Sequence, residues 1–215
     1  MKTAIFAVTA FMLSACASAS IPSRGGALEI GAETTPPHGF VAMCAKDPAL
    51  CVNPRSQGTS LSAAETRALL TRVNRRVNAV VRQKQDAVLA GAQDVWRRPV
   101  ADAVGFTGDC DDLATEKRLE LITAGVPAEN LTYALAYRRD LGLHVVLIAS
   151  TADGDLVLDS RTPYVTALRE APYVWLARQS AADPMRWNSV RPADAAAASP
   201  ERVAQQDHRL DTLQN

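Results

Sequence analysis

The sequence predicts an α+β fold in which N-terminal helices pack on an antiparallel sheet. Apolar residues recur at helical spacing in the first half of the chain, and strand-like runs joined by an Asp-Gly turn follow in the second half. The 215 residues suit one domain with a substantial core. A net charge of zero and an aromatic content of 5% give no reason to expect nucleic acid as a partner.

The N-terminus, residues 1–19, has the pattern of an export signal. Lys2 precedes an apolar stretch over residues 4–13 that is too short to span a bilayer, and small residues follow. Residues 13–16, Leu-Ser-Ala-Cys, resemble a bacterial lipobox, in which Cys16 is lipidated and anchors the mature protein. The competing interpretation is ordinary cleavage after residues 17–19. Both predict a periplasmic protein, and the lipobox adds an anchor in the outer membrane.

The remaining chain divides into a flexible Pro/Gly-rich lead-in over residues 20–40, a domain over residues 41–190 and a polar tail over residues 191–215. Cys44 and Cys51 are close in sequence with Pro48 between them, so in an oxidising compartment they are expected to form a local disulfide. A metal site there would need further ligands that no other cysteine pair supplies. Cys110 is then left as a lone thiol.

Two helices are predicted. Ser62 and Glu65 form a capping signal before apolar residues at steps of three and four, which predicts a helix to about Gln85 with a solvated arginine face. The second helix runs from about Cys110 to Ala124, where the following glycine ends it.

The predicted sheet lies C-terminal to these helices. Residues 132–138 alternate weakly, whereas residues 143–149 and 156–159 are strong strand patterns. The Asp153-Gly154 step between the two strong strands predicts a hairpin. Residues 173–176 and the segment 185–187 extend the strand-forming region.

Three residues carry the candidate chemistry. Cys110 opens a helix, where the helix dipole favours a thiolate. His144 begins a strong strand and is the best-placed of the three histidines, the others being His38 in the lead-in and His208 in the tail. Asp159 ends the next strand and could orient the imidazole, as in a Cys-His-Asp triad. A two-residue turn at Asp153-Gly154, however, would place the latter two side chains about 13 Å apart, so a different turn, a bulge or strong twist is required. The competing interpretation of His144 is a packed histidine with a satisfied ring.

These residues strongly resemble the bacterial transglutaminase-like cysteine peptidases, whose best-known members are the LapG-type periplasmic proteases. The resemblance covers roughly residues 41–190. The motifs that carry it are residues 108–112 (Gly-Asp-Cys-Asp-Asp), 144–147, 158–159, 74–78, 94–96, 117–125 and Trp187. Two residues depart from the family pattern: Leu113 replaces a common aromatic, and Ser160 replaces a frequent asparagine. Both departures leave the substrate preference open.

The resemblance implies a papain-like, transglutaminase-like fold and proteolysis through Cys110, His144 and Asp159. It also implies a protein substrate in the cell envelope, such as a biofilm adhesin, and allows for an inhibitory membrane partner. A further implication is calcium bound by the acidic residues that flank the cysteine, here Asp109 and Asp111, with Asp112 adjacent.

The acidic neighbours of Cys110 pose a question, because negative charge disfavours a thiolate. Calcium would offset that charge. The competing interpretation is that Asp109 caps the helix and Asp111 and Asp112 meet its positive end, which needs no metal. Three functions remain open at this point: a peptidase, an acyl transferase that uses the same residues, and a catalytically silent lipoprotein that binds a partner.

Overall fold

The computed structural model describes residues 28–54, 61–84 and 95–191. The signal region with Cys16 and the tail from residue 192 lie outside these ranges, as do Asp94 and His208. None of the helices in the described ranges is long and apolar enough to cross a bilayer. The helices are α1 (His38–Lys46), α2 (Ala63–Val80) and α3 (Cys110–Thr123). The strands are β1 (Ile30–Thr34), β2 (Val81–Gln83), β3 (Val100–Asp102), β4 (Gly105–Gly108), β5 (Leu131–Arg138), β6 (Gly142–Thr151), β7 (Gly154–Leu158), β8 (Val165–Ala167), β9 (Val174–Gln179) and β10 (Trp187–Val190).

Seven of the strands form one antiparallel sheet in the order β1-β10-β9-β5-β6-β7-β8. A second, small sheet has the order β2-β4-β3, and in it β2 runs parallel to β4. Helix α3 packs on β6 and on α2. The architecture is therefore the predicted α+β arrangement of helices on an antiparallel sheet.

Helix α2 ends earlier than the sequence indicates. Ser62 and Glu65 form the predicted capping box, but the helix stops at Val80 rather than near Gln85. Residues 81–83 become extended because they pair with β4, so that Gln83 lies beside Gly108. A tertiary contact has overridden a helical sequence pattern here.

The predicted flexible lead-in is wrong for its described part. Residues 30–34 form the edge strand β1, which pairs with β10, and α1 begins at His38. Glycine and proline at this spacing predicted an irregular segment, but pairing with a strand far along the chain supplies the backbone hydrogen bonds that such a segment would lack.

Aromatic side chains from distant parts of the chain meet in the core. Phe40, Trp96, Tyr133 and Trp187 are all buried and contact one another edge to face, with ring centroids 5.4–6.2 Å apart. Such contacts add about 0.5–1.5 kcal/mol per pair beyond area burial. This cluster joins α1 and the segment before β3 to the large sheet.

The predicted disulfide between Cys44 and Cys51 is present. It joins α1 to the following short 3-10 helix. The buried guanidinium of Arg118 on α3 donates to the carbonyl oxygens of Leu50 and Leu131 and to Asn53 Oδ1. The disulfide loop is thereby attached to the helix that begins at Cys110.

Candidate active site

His144 and Asp159 meet through a register that the sequence did not predict. Residues Ala152 and Asp153 form the turn, so Thr151 pairs with Gly154 and Leu147 with Leu158. This register is shifted by two residues from the predicted one, and continuing it one residue past Leu158 places Asp159 opposite Val146, on the same face as His144. His144 Nε2 lies 2.8 Å from Asp159 Oδ1. A different turn, one of the three stated possibilities, closes the gap.

Hydrogen bonds hold Asp159 in its ionised form. Its Oδ2 accepts from the Tyr173 hydroxyl at 2.5 Å, and its Oδ1 also accepts from the backbone N–H of Arg161 at 2.9 Å. Burial raises the pKa of Asp159, but the hydrogen bonds from His144, Tyr173 and Arg161 outweigh burial and leave the pKa below its usual value. An ionised carboxylate only accepts, so His144 Nε2 carries the proton and donates.

The second ring nitrogen of His144, Nδ1, therefore bears the lone pair that can take a proton. The side chain is buried, and its ring lies 5.6 Å from the ring of Tyr173. His38, by contrast, is exposed at the start of α1. Among the described residues, His144 is thus the histidine whose surroundings suit a general base.

Cys110 is the first residue of α3 and directly follows β4 and Asp109. Its half-buried thiol is not in a disulfide and packs against the main core. The direction of α3 is set by contacts further along it: Arg118 reaches Leu131 at the start of β5, and Thr115 reaches Tyr133. The residues of α3 before Thr115 thus lie towards the C-terminal end of β5, where Ala136 pairs with His144 of the neighbouring strand β6. This direction brings Cys110 to the end of the sheet that holds the His–Asp pair.

Lys117 lies beneath this site. Its side chain is fully buried, and burial lowers its pKa to about 7, although electrostatic interactions with Asp159 and Cys110 act to raise it. Because both groups act electrostatically on the amine, the Lys117 side chain lies near the thiol and the carboxylate.

The acidic residues around Cys110 converge on one point. Asp109, Asp111 and Asp112 each offer a carboxylate oxygen within 4.8 Å of the others. Asp109 holds the N-cap position of α3, yet its side chain makes no capping hydrogen bond. The helix-capping interpretation therefore fails for Asp109.

Asp112 shows the electrostatic consequence of this crowding. Burial and then the charge of Asp109 raise its pKa to about 7, although Oδ1 accepts from the backbone N–H of Arg97 at 3.0 Å. Asp112 Oδ2 and Asp109 Oδ1 are buried without a hydrogen bond. A side chain at position 108 would collide with Asp112, since a Cβ there would lie 2.7 Å from its Cβ. The glycine thus lets the carboxylate sit against the backbone.

Side-chain amides of α2 and β2 hold the loop that follows Asp159. Asn78 Nδ2 donates to the carbonyl oxygens of Asp159 and Thr162, both at 2.8 Å. Gln83 Nε2 donates to Ser160 at 2.6 Å, and Asn74 Nδ2 to Thr162 at 3.0 Å. The backbone that carries Asp159 is therefore fixed to the helical layer.

Sequence reasoning missed the roles of three of these residues. The sequence did carry a signal for Lys117. It lies on the same helical stripe as Leu113 and Leu121, where an apolar residue is normally found. Asn78 lay within a motif of the family resemblance but had no assigned role. Tyr173 offered no signal, because its contact with Asp159 depends on the path of the chain between β8 and β9.

A thiol at a helix start, near a hydrogen-bonded His–Asp pair on an antiparallel sheet, is typical of cysteine hydrolases and of acyl transferases that use the same residues. Residues 30–195 match the family described as bacterial transglutaminase-like cysteine proteinase. The chain belongs to this family and is a cysteine proteinase. No curated protein sequence matches the chain significantly.

Solved structures of LapG from Legionella pneumophila are similar to this chain. The calcium-bound structure has 25% sequence identity and a TM-score of 0.46, over 65% of this chain and 72% of that chain. The EGTA-treated structure has the same identity and TM-score, over 66% of this chain and 72% of that chain.

Replacing Asn78 by alanine is expected to lower peptidase kcat about tenfold and the free energy of unfolding by roughly 1–3 kcal/mol. The variant loses both hydrogen bonds to the loop, so Asp159 is less well held against His144. Steady-state kinetics and chemical denaturation measure the two effects. Asn188→Ala is the matched control, since its amide lies at the distant β1–β10 edge. Equal kcat values for the two variants would contradict the anchoring role.

Proposed function

We propose that this protein is an exported cysteine peptidase in which Cys110 is the nucleophile, His144 the general base and Asp159 the residue that orients the imidazole. The observation that carries the proposal is the 2.8 Å contact between His144 Nε2 and Asp159 Oδ1. This contact leaves His144 Nδ1 as the proton acceptor. Cys110, the first residue of α3, lies at the same end of the sheet. The helix dipole there favours the thiolate.

The reaction follows from these roles. Cys110 Sγ transfers its proton to His144 Nδ1, and the thiolate attacks the carbonyl carbon of the scissile peptide bond. The carbon–nitrogen bond then breaks, and the departing amine takes the proton from the imidazolium. A water molecule, deprotonated by His144, cleaves the resulting thioester and regenerates the thiol. Asp159 stabilises the imidazolium in both halves of the reaction.

The proposed substrate is a protein of the cell envelope or cell surface, such as a biofilm adhesin, and an inhibitory membrane partner is compatible with this location. The export pattern of residues 1–19 and the lipobox at Cys16 support a periplasmic enzyme anchored to the outer membrane. The disulfide between Cys44 and Cys51 supports the same location, because such bonds persist in oxidising compartments.

Calcium is the proposed cofactor, held by Asp109, Asp111 and Asp112. Carboxylate oxygens are the ligands that calcium prefers. The buried oxygens of Asp109 and Asp112 without hydrogen bonds, and the raised pKa of Asp112, fit a site built for a cation. When bound, calcium would supply positive charge beside the thiol. The three carboxylates themselves lie at the start of α3, next to Cys110.

The reactivity of Cys110 tests the proposed nucleophile. Iodoacetamide is expected to label Cys110 at pH 7 at least tenfold faster than a small unperturbed thiol, and His144→Ala should remove most of that advantage. Mass spectrometry of the alkylated peptide measures the rate. Labelling no faster than the small thiol would overturn the proposal.

The substrate class is tested by comparing envelope proteins from cells with wild-type protein and with Cys110→Ala. Fragments that appear only with the intact thiol identify the substrate. Adding an amine to a cleaved peptide separates the alternative of acyl transfer: a peptidase gives mainly the acid, whereas a transferase gives mainly the amide.

A further inference from the structure

Lys117 is an unusual component of a protein core. Its side chain has a relative exposure of 0%, and its Nζ has no hydrogen-bond partner. A buried amine without an acceptor normally costs stability, because water no longer solvates it. An apolar side chain of similar length, such as methionine, would fill the same space without that cost. The lysine therefore needs a reason other than packing.

The geometry of α3 directs this amine at the catalytic residues. Lys117 lies two helical turns after Cys110, on the same face of α3. Side chains on a helix lean towards its N-terminus, so the long lysine side chain extends back towards the thiol. Its amine interacts electrostatically with Asp159 and with Cys110, the two members of the candidate triad that can carry negative charge.

We propose that Lys117 is a positioning residue whose buried ammonium stabilises the negative charge on Cys110 and Asp159 during the reaction. The proposal rests on the proposed triad. Proton transfer from Cys110 to His144 creates negative charge on sulfur within an acidic stretch of chain, where it is otherwise disfavoured. A cation in the low-dielectric interior opposes that effect more strongly than one at the surface. Lys117 thus supplies positive charge from within the core, close to the acidic helix start.

The proposal predicts opposite effects on reactivity and stability in one variant. Lys117→Met retains the length and the apolar stem but removes the charge. We expect its rate of Cys110 alkylation at pH 7 and its kcat to fall about tenfold, with KM little changed. We expect its Tm to rise by about 2–4 °C, because a buried amine without a hydrogen bond is replaced by an apolar group. A lysine that served packing alone would show no loss of alkylation rate.

A matched variant separates charge from helix packing. Leu121→Ala removes a fully buried side chain one turn further along the same stripe. It should lower the Tm while leaving the alkylation rate within about twofold of wild type. Both variants are compared in excess calcium, so that the state of the acidic cluster is constant. If Leu121→Ala slowed alkylation as much as Lys117→Met, loosening of α3 would explain both results and the proposal would fail.

The outcomes also distinguish this proposal from the proposed function. If wild-type Cys110 is no more reactive than a small thiol, the nucleophile itself is wrong. If wild-type Cys110 is reactive and Lys117→Met reacts equally fast, the peptidase mechanism stands and only the role of Lys117 is overturned. Lys117→Arg adds a third measurement, since a retained charge should preserve more of the alkylation rate than methionine does.

Discussion

Replacing Asp159 by alanine is expected to lower kcat about 10⁴-fold, the loss found when the orienting acid of a catalytic triad is removed. The carboxylate accepts from His144, from Tyr173 and from the backbone of Arg161. Without it, the imidazole loses both its orientation and the charge that stabilises its protonated form. Steady-state kinetics on a cleaved peptide measure kcat, and circular dichroism checks that the variant is folded.

Two milder variants separate orientation from charge. Asp159→Asn retains an oxygen that can accept from His144, while the Tyr173 hydroxyl can rotate to accept from the new amide. The imidazole should stay oriented, as it does in Cys-His-Asn triads, but lose its counter-charge, so the expected loss is smaller, about 10–100-fold. Tyr173→Phe removes one donor only, and its expected loss is a few-fold. If Asp159→Ala kept more than a tenth of wild-type kcat, the aspartate would not be the orienting residue.

The local features of the site could be predicted from the sequence. Cys110 does begin a helix, His144 and Asp159 do lie on neighbouring strands, and Cys44 does pair with Cys51. Each of these features depends on short-range rules for caps, alternation and close cysteines. The register of the hairpin was predicted wrongly because the Asp-Gly step was placed inside the turn. In the structure Gly154 is already the first residue of β7, and its φ of 112° explains why a glycine is found there.

Features that depend on distant pairing could not be predicted. Helix α2 ends where residues 81–83 pair with β4. The edge strand β1 forms because it pairs with β10, which lies far along the chain. The contacts of Asn78 and Tyr173 with the Asp159 region likewise join residues that no sequence pattern connects. The candidate catalytic residues were therefore recognisable one by one, whereas the residues that contact and hold them could be identified only from the fold.

Calcium removal is expected to have the second large effect, and that effect should depend on pH. The pKa of Asp112 is about 7 in the folded protein, whereas an unfolded chain has a value near 3.9. Between these values the unfolded chain releases the proton and the folded protein retains it. The contribution of Asp112 to the stability of the calcium-free protein should therefore fall as the pH rises from about 4 to about 7 and then level off, whereas the lowered pKa of Lys117 adds stability as the pH rises above about 7.

Bound calcium should reverse this trend, because it favours the ionised carboxylates that the protein otherwise crowds together. At pH 8 and about 1,000 times its Kd, calcium is expected to add roughly 4 kcal/mol to the free energy of unfolding. The added stability should decline towards pH 5, where protons compete for the ligands. Thermal unfolding in EGTA and in excess calcium, at pH 5, 6, 7 and 8, measures both trends. Peptidase activity at pH 8 should fall in EGTA.

Asp112→Asn assigns these effects to one carboxylate. The amide retains an oxygen that can accept from the Arg97 backbone but cannot ionise. In EGTA this variant should lack the decline in Tm that wild type shows between pH 5 and 7, and calcium should raise its Tm far less than in wild type. Glu116→Gln is the control, since this acid lies on the same helix but pairs with Arg98 outside the cluster. The acidic cluster adjoins Cys110, so loss of calcium should affect both stability and activity. If the Tm and the activity of the wild-type protein at pH 8 were the same in EGTA and in calcium, the calcium proposal would fail. The three aspartates would then act at the start of α3 without a metal.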